Sequence, residues 1–216
     1  KLNENGVNQL MNIKDLNQVR IFTNRNLDYD KFSDLQSFQE KTSSDPDYQP
    51  DYFIADKDRA GKYRGYFWGV VRNNPDGSKT GWIKLFAVDR KERLRHLATK
   101  LYQRLENRFI QAGVRDIKLG GSLPNYLLPG IDPRYTAAVV FLTRNGFVRY
   151  GEVTNMQCTL AAVNTSTVNE EWRLKKTGIQ IRRLAGLADW ERLAQWLEKT
   201  FWKFIVMPSL KGFLSR

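Results

Sequence analysis

Arg90, Lys91, Arg93, Arg95 and His96 fall between an apolar run, Leu85-Phe86-Ala87-Val88, and a stripe of apolar residues. The stripe comprises Leu94, Leu97, Ala98, Leu101, Leu105 and Phe109, spaced mostly three or four residues apart, which makes one face of an amphipathic helix. A helix start leaves backbone N–H groups unpaired and carries the positive end of the macrodipole, so it attracts anions. Cationic side chains are disfavoured at that end unless something negative joins them. Their concentration here predicts that a phosphate or pyrophosphate completes the site. A surface helix with a solvated basic face would use the same residue types, so the surrounding elements must decide.

Those elements read as a series. Residues 19–23 alternate and predict a first strand, and Asp28 or Asp30 can cap a helix carrying Phe32, Leu35 and Phe38. Residues 52–55 and 63–72 read as strands, and Asn73-Asn74-Pro75-Asp76-Gly77 is a turn leading into a strand over 82–88. These three strands form an antiparallel meander. The basic helix then runs to about Ala112, where Gly113 stops it. A strand over 116–120, a loop, a helix over 135–144 closed by Asn145-Gly146, and one or two strands within 147–160 complete the series. The fold class is therefore α/β, a mixed, mostly antiparallel sheet flanked by helices.

Composition narrows the function classes. The 216 residues are 41% hydrophobic and 12% aromatic, enough for a core, and no apolar run is long enough to span a bilayer. A single cysteine, Cys158, in a strand-like run, reads as a buried inert thiol, and one histidine leaves no zinc site of the usual kind. With no leader signal, a cytoplasmic location is the default, although a chain opening on Lys1 can be part of a longer polypeptide. The net charge of +12 favours polyanionic partners, and residues 90–118 carry nine basic side chains against Glu92, Glu106 and Asp116. Nucleic acid is one such partner by charge, but no nucleic-acid-binding motif accompanies it. Residues 1–18 read as a polar lead-in, 19–160 as the main domain, 161–177 as a linker, and 178–216 as a strand and helix.

The element order, with Val88, Arg93, Ala98 and Leu101 around the turn and the Gly146-Phe147 pair after the last helix, resembles the GNAT acyltransferase superfamily. His96 stands where the family usually has glycine. The resemblance implies acetyl-CoA or another acyl-CoA as cofactor and an amine-bearing small molecule or a protein or peptide as acceptor. It places Phe86, Ala87 and Val88 against the pantetheine arm. Arg93, Leu94, Arg95, His96, Leu97, Ala98 and Thr99 then hold the diphosphate. The segment 178–216 resembles the start of a second repeat, with Leu187, Trp190, Leu193, Ala194, Leu197 and Phe201 as its helical stripe. A C-terminal extension packed by its Trp-rich face is the other reading.

The family's usual catalytic groups are incomplete in this chain. Leu142 occupies the place of the tyrosine that protonates the departing thiolate, and the fourth strand has no glutamate to act as base. Tyr135, where the family often has asparagine, or Tyr126 could supply the acid, and Asp132 in Pro129-Gly130-Ile131-Asp132-Pro133 is the best-placed carboxylate. Each has a plain structural alternative, ring packing for the tyrosines and a turn or cap for Asp132. A GNAT-like domain that binds a ligand or partner without catalysis, and a basic nucleic-acid-binding module, remain the competing functions. The acidic residues from Asp28 to Asp51 could draw in a cationic amine or be surface charge.

Overall fold

Asn12 opens the first helix, accepting from Asp15 N at 2.9 Å while its own amide donates to the Asp15 carboxylate. The computed structural model describes residues 11–154, 156–162 and 164–200. Helix α1 (Ile13–Asn26) buries Leu16, Val19, Phe22, Thr23 and Asn26, a helical spacing. The strand expected over 19–23 is thus the middle of a helix. Five residues of alternation are too few to distinguish the two periods, and Ile21, which the alternation would have buried, is exposed. Asp34, and neither Asp28 nor Asp30, caps α2 (Leu35–Lys41) through Ser37 N at 2.6 Å. Asp28 and Asp30 are left in the loop between the two helices.

The sheet has the order β1 (Phe53–Lys57), β2 (Tyr63–Asn73), β3 (Lys79–Val88), β4 (Asp116–Leu119). The first two pairings are antiparallel and the β3–β4 pairing is parallel, with α3 (Leu97–Gln111) as its crossover. Helix α4 (Thr136–Arg144) follows. One face of the sheet packs Tyr66, Trp68 and Leu85 against Leu16, Val19 and Phe22 of α1 and Phe38 of α2. The other packs Ile54, Phe67 and Ile83 against Leu101, Leu105 and Phe109 of α3. Phe109 sits directly over Gly69, where a Cβ would lie 2.5 Å from its ring, so that glycine sets the depth of the helix on the sheet.

The chain divides between Arg149 and Tyr150 into two compact units. Described residues within 147–160 form no strand, and Val148, Tyr150, Val153 and Met156 are exposed, without the partner that an apolar strand needs. Cys158 is exposed as well, so the expected buried thiol is corrected. Residues 179–181 are likewise not a strand. The second unit contains α5 (Val168–Lys176), inside the stretch read as a linker, and α6 (Leu187–Thr200). In α6, Trp190, Leu193, Ala194 and Leu197 are half-buried as the stripe requires, Leu187 is exposed, and Phe201 lies outside the described residues. Asp189 binds Arg182, Arg192 (2.6 Å) and Ala185 N (2.9 Å), contacts that hold its carboxyl well below the usual range.

Candidate active site

Lys84 breaks the regularity of β3. The register with β2 steps from Trp68↔Leu85 to Gly69↔Ile83, which leaves Lys84 as the extra residue of a β-bulge. On its other side β3 pairs with β4 only from Thr80↔Asp116 to Ile83↔Leu119, and Gly120 N→Ile83 O (3.1 Å) is the last bond. Beyond that point the strands part, and among the described residues β3 has no backbone partner on this edge from Lys84 to Val88. Gly120 (φ 68) and Gly121 (φ 67) turn the chain away. A Cβ on Gly120 would lie 2.5 Å from the N and Cα of Gly130, so the loop that closes the gap tolerates no side chain there.

A cleft of about 990 Å³ opens where the strands part. Its walls include Phe86, Ala87 and Val88 of β3, the turn at Arg93, Leu94 and His96, and Ala98 and Thr99 of α3. The loop Asp28–Asp30, the segment Ile131–Tyr135 and the face of α4 bearing Ala137, Ala138 and Phe141 complete it.

The helix whose apolar stripe was expected to begin at Leu94 opens instead at Leu97, after a 3-10 turn, Arg90–Glu92, and Leu94 lies outside it and is exposed. Leu94 (φ 60) and His96 (φ 61) both adopt the left-handed conformation, which costs a side-chain-bearing residue about 1–2 kcal/mol. The glycine-like backbone is thus present at His96 without glycine. His96 is the N-cap but gives no side-chain cap, and the first intrahelical bond is Lys100 N→His96 O at 3.1 Å. Among the described residues the N–H groups of Leu97, Ala98 and Thr99 have no acceptor. An uncapped helix start at the wall of a cleft is a place for an anion.

Arg90 and Arg93 of the turn, with Arg25 and Arg64 from outside it, hold it in place. Arg93 donates to Asn26 O (2.9 Å) and Val88 O (3.4 Å), and buried Asn26 accepts from Arg90 N (3.2 Å). Arg90 pairs with Asp28, Arg25 with Asp89 (2.9 Å), and Arg64 with Glu92 (3.3 Å). The side chains of Lys91, Arg95 and His96 make no polar contact among the described residues. Arg95 and Leu97 do not line the cleft. Arg95 points outward and Leu97 joins the core beneath α3.

At the opposite wall Tyr135 precedes α4. Its hydroxyl oxygen accepts from Tyr29 N (2.7 Å) and Asp30 N (3.1 Å), and its ring lies 5.0 Å from that of Tyr29. Burial raises its pKa, outweighing the two backbone donors, so it is a neutral phenol at pH 7. Asp132 is clasped by Arg134 (Nε 2.9 Å, Nη2 2.5 Å) and accepts from Arg134 N, contacts that hold its carboxyl below the usual range. That suits a turn anchor better than a base. Arg134 in turn lies 3.7 Å over the Tyr29 ring. Tyr126 is partly exposed and lies outside the cleft lining.

Sequence reasoning missed Lys84 and Tyr29. A lysine inside the apolar run Trp82-Ile83-Lys84-Leu85-Phe86 was the available signal, because a buried charge needs a partner. The partner is Asp45, which is also bound by both Nη atoms of Arg72 (2.6 Å each). Lys84 donates as well to Asn125 O (2.8 Å), and Arg72 reaches Asp47 (2.5 Å) and Ser122 Oγ (3.1 Å). The network ties the end of α2, the bulge and the loop after β4 into one support beneath the cleft. Burial pulls the Lys84 ammonium down to about 8 despite the adjacent carboxylate.

The model of the acetyltransferase (GNAT) family matches residues 16–126, just over half of the chain. The chain belongs to the GNAT acetyltransferase family. Solved structures share the fold at low identity. A tetramutant of the BH1408 protein from Bacillus halodurans is 12% identical with a TM-score of 0.50, over 69% of this chain and 98% of its own. The glucosamine-6-phosphate N-acetyltransferase of Arabidopsis thaliana is 15% identical with a TM-score of 0.46, over 69% and 95%. AAC(6')-Iy, solved with the bisubstrate analogue CoA-S-monomethyl-acetylneamine, is 16% identical with a TM-score of 0.47, over 70% and 96%. No curated protein matches the sequence. Among the described residues no helix is long and apolar enough to cross a membrane, and no group of three or more His, Cys, Asp or Glu could hold a metal ion.

Proposed function

We propose that this chain is an N-acyltransferase that moves an acetyl or other acyl group from acyl-CoA to an amine. The observation that carries the reading is the parting of β3 and β4 at the Lys84 bulge, in the same cleft as the uncapped start of α3. The unpaired edge of β3 at Phe86–Val88 offers backbone donors and acceptors to an amide-bearing arm. The N–H groups of Leu97, Ala98 and Thr99 and the helix dipole suit a diphosphate. Arg93 shapes that seat from behind, and the fixed charge of Arg95 adds positive potential beside it.

Acyl-CoA supplies an activated thioester when bound. The chain's residues then hold it, exclude water and handle one proton. Tyr135 is a neutral phenol whose oxygen already accepts two backbone N–H bonds, which support the phenolate that forms when its proton leaves. It is the residue we assign to protonate the leaving thiolate as the C–N bond forms and the C–S bond breaks. The proton that the acylated nitrogen then sheds returns Tyr135 to the phenol, and a cationic amine first loses its extra proton to solvent. Asp132 keeps Arg134 in place over Tyr29 and so orients the same wall.

Titration calorimetry with acetyl-CoA, and with pantetheine as the control lacking a diphosphate, tests the cofactor half of the reading. Wild type is expected to bind acetyl-CoA saturably and pantetheine at least about tenfold more weakly. Ala98→Trp, which places an indole over the helix start, is expected to abolish binding. Equal binding of both ligands, or an Ala98→Trp protein that binds as wild type does, would sink the assignment.

A further inference from the structure

The charges of the cleft are compensated unevenly. Four acidic side chains line it: Asp28, Asp30, Glu92 and Asp132. Three of them are engaged by arginine, Asp28 by Arg90, Glu92 by Arg64 and Asp132 by Arg134. Asp30 has no cationic partner among the described residues, and neighbouring Lys31 is spent on the carbonyls of Asn24 and Leu27. The turn before α3 shows the opposite imbalance, since Arg93 binds carbonyl oxygens only and His96 faces no carboxylate. Among the described residues the cleft therefore presents a cation without a carboxylate partner, Arg93, where the diphosphate is assigned, and a carboxylate without a cationic partner, Asp30, at another wall.

That negative group has a defined position. Asp30 N donates to the Tyr135 hydroxyl oxygen at 3.1 Å, so the residue is pinned beside the proposed acid, half-buried, on the wall of the cleft. It does not cap α2, a duty that belongs to Asp34. We propose that Asp30 is the acceptor-recognition carboxylate, and that it selects amines that carry a positive charge at neutral pH. The inference rests on the acyltransferase reading, because an acceptor must meet the thioester beside Tyr135 and hence within reach of Asp30. A carboxylate in a partly dehydrated cleft attracts an ammonium more strongly than it would in bulk water and repels anionic amines. Neutral aromatic amines gain nothing from it.

The test uses the full chain with acetyl-CoA and two probes at pH 7.5, 1,5-diaminopentane as the charged amine and aniline as the neutral one. Release of free thiol is followed for wild type, Asp30→Asn and Asp30→Glu, with acetyl-CoA binding measured separately by calorimetry. Asp30→Asn keeps the backbone bond to Tyr135 but removes a carboxylate that also raises the Tyr135 pKa. An effect through the acid would therefore show in kcat and its pH profile, whereas lost acceptor recognition shows in the KM for the charged amine. Loss of a charge-assisted contact predicts a KM for 1,5-diaminopentane raised about tenfold to a hundredfold, unchanged acetyl-CoA affinity, and partial rescue by Asp30→Glu. Preference of the wild type for aniline, or an unchanged KM in Asp30→Asn, overturns the proposal. So does a wild type that binds acetyl-CoA yet acetylates no charged amine. A wild type that does not bind acetyl-CoA at all overturns instead the acyltransferase reading on which this inference stands.

Discussion

Replacing Asp45 by Asn removes one charge from beneath the cleft, strands Lys84 and leaves Arg72 with Asp47 as its one carboxylate partner among the described residues. Asp45 is 4% exposed and accepts two bonds from Arg72, one from Lys84 and one from Asp47 N at 3.0 Å. Burial would raise its pKa, but the Arg72 bonds and the Lys84 charge prevail and hold it below the usual carboxylate value. The cost of losing it divides into two parts. Lys84, at about 8, lies at pH 7 only about 1.4 kcal/mol below its neutral form, so without Asp45 it sheds its proton for about that cost. Arg72 has no such escape, because a guanidinium does not deprotonate, and losing a charged bidentate partner costs it about 2–3 kcal/mol. The expected loss is about 3–5 kcal/mol at pH 7, in the range for breaking a buried pair. The Lys84 part depends on pH. Its folded pKa is depressed below the unfolded value of about 10.4, so the folded chain gives up this proton near 8 while the unfolded chain keeps it. At pH 9 Lys84 is neutral in the folded wild type and variant alike, and the penalty should shrink by about 1 kcal/mol. Urea unfolding of wild type and Asp45→Asn at both pH values reads this directly. A penalty below about 1 kcal/mol at pH 7, or one that does not fall at pH 9, would refute the reasoning.

Two further perturbations address the cleft walls. His96→Gly relieves a left-handed side chain at φ 61 but loosens the unfolded chain, so its stability should stay within about 1 kcal/mol of wild type and acetyl-CoA affinity should hold or rise. A urea midpoint lower by more than that, or lost affinity, would mean the imidazole makes a contact that the turn needs. Tyr135→Phe removes the proton donor and the acceptor for Tyr29 N and Asp30 N, so kcat should fall about 10²–10⁴-fold while the Kd for acetyl-CoA changes little. An unchanged kcat measured by thiol release would remove Tyr135 from the catalytic assignment.

The order of the meander, the crossover helix and the final helix was legible because each rests on local pattern. Leu97, Leu101, Leu105 and Phe109 are buried as their spacing requires, and the turn around Asn74 and Gly77 joins β2 to β3. Pattern failed where distant partners decide. The alternation at 19–23 yields to a helix because Leu16 and Asn26, beyond the window, share its buried face. The described apolar residues within 147–160 do not form a strand, since propensity alone does not supply a neighbour to pair with. The cluster of basic residues read as a site for anions spends Arg90 on Asp28 and Arg93 on Asn26 O, more than sixty positions away in each case, so it builds the site more than it charges it.

His96 shows most plainly what residue type hides. The family resemblance marks this position for glycine, and by residue type alone the turn should differ. Yet the backbone there takes φ 61, the conformation glycine would allow freely, with Leu94 at φ 60 two residues earlier. Two such angles cost on the order of 2–4 kcal/mol together, and only surroundings that over-determine the turn can hold them. Those surroundings are Arg93 on the carbonyls of Asn26 and Val88, Asn26 on Arg90 N, and Asp89 on Lys91 N. The requirement at this point of the fold is therefore a backbone shape that leaves the N–H groups of Leu97–Thr99 unpaired at the cleft. Glycine is one way to meet it, and a scaffold of side chains gathered from α1 and the turn itself is another. A motif search finds the first and misses the second.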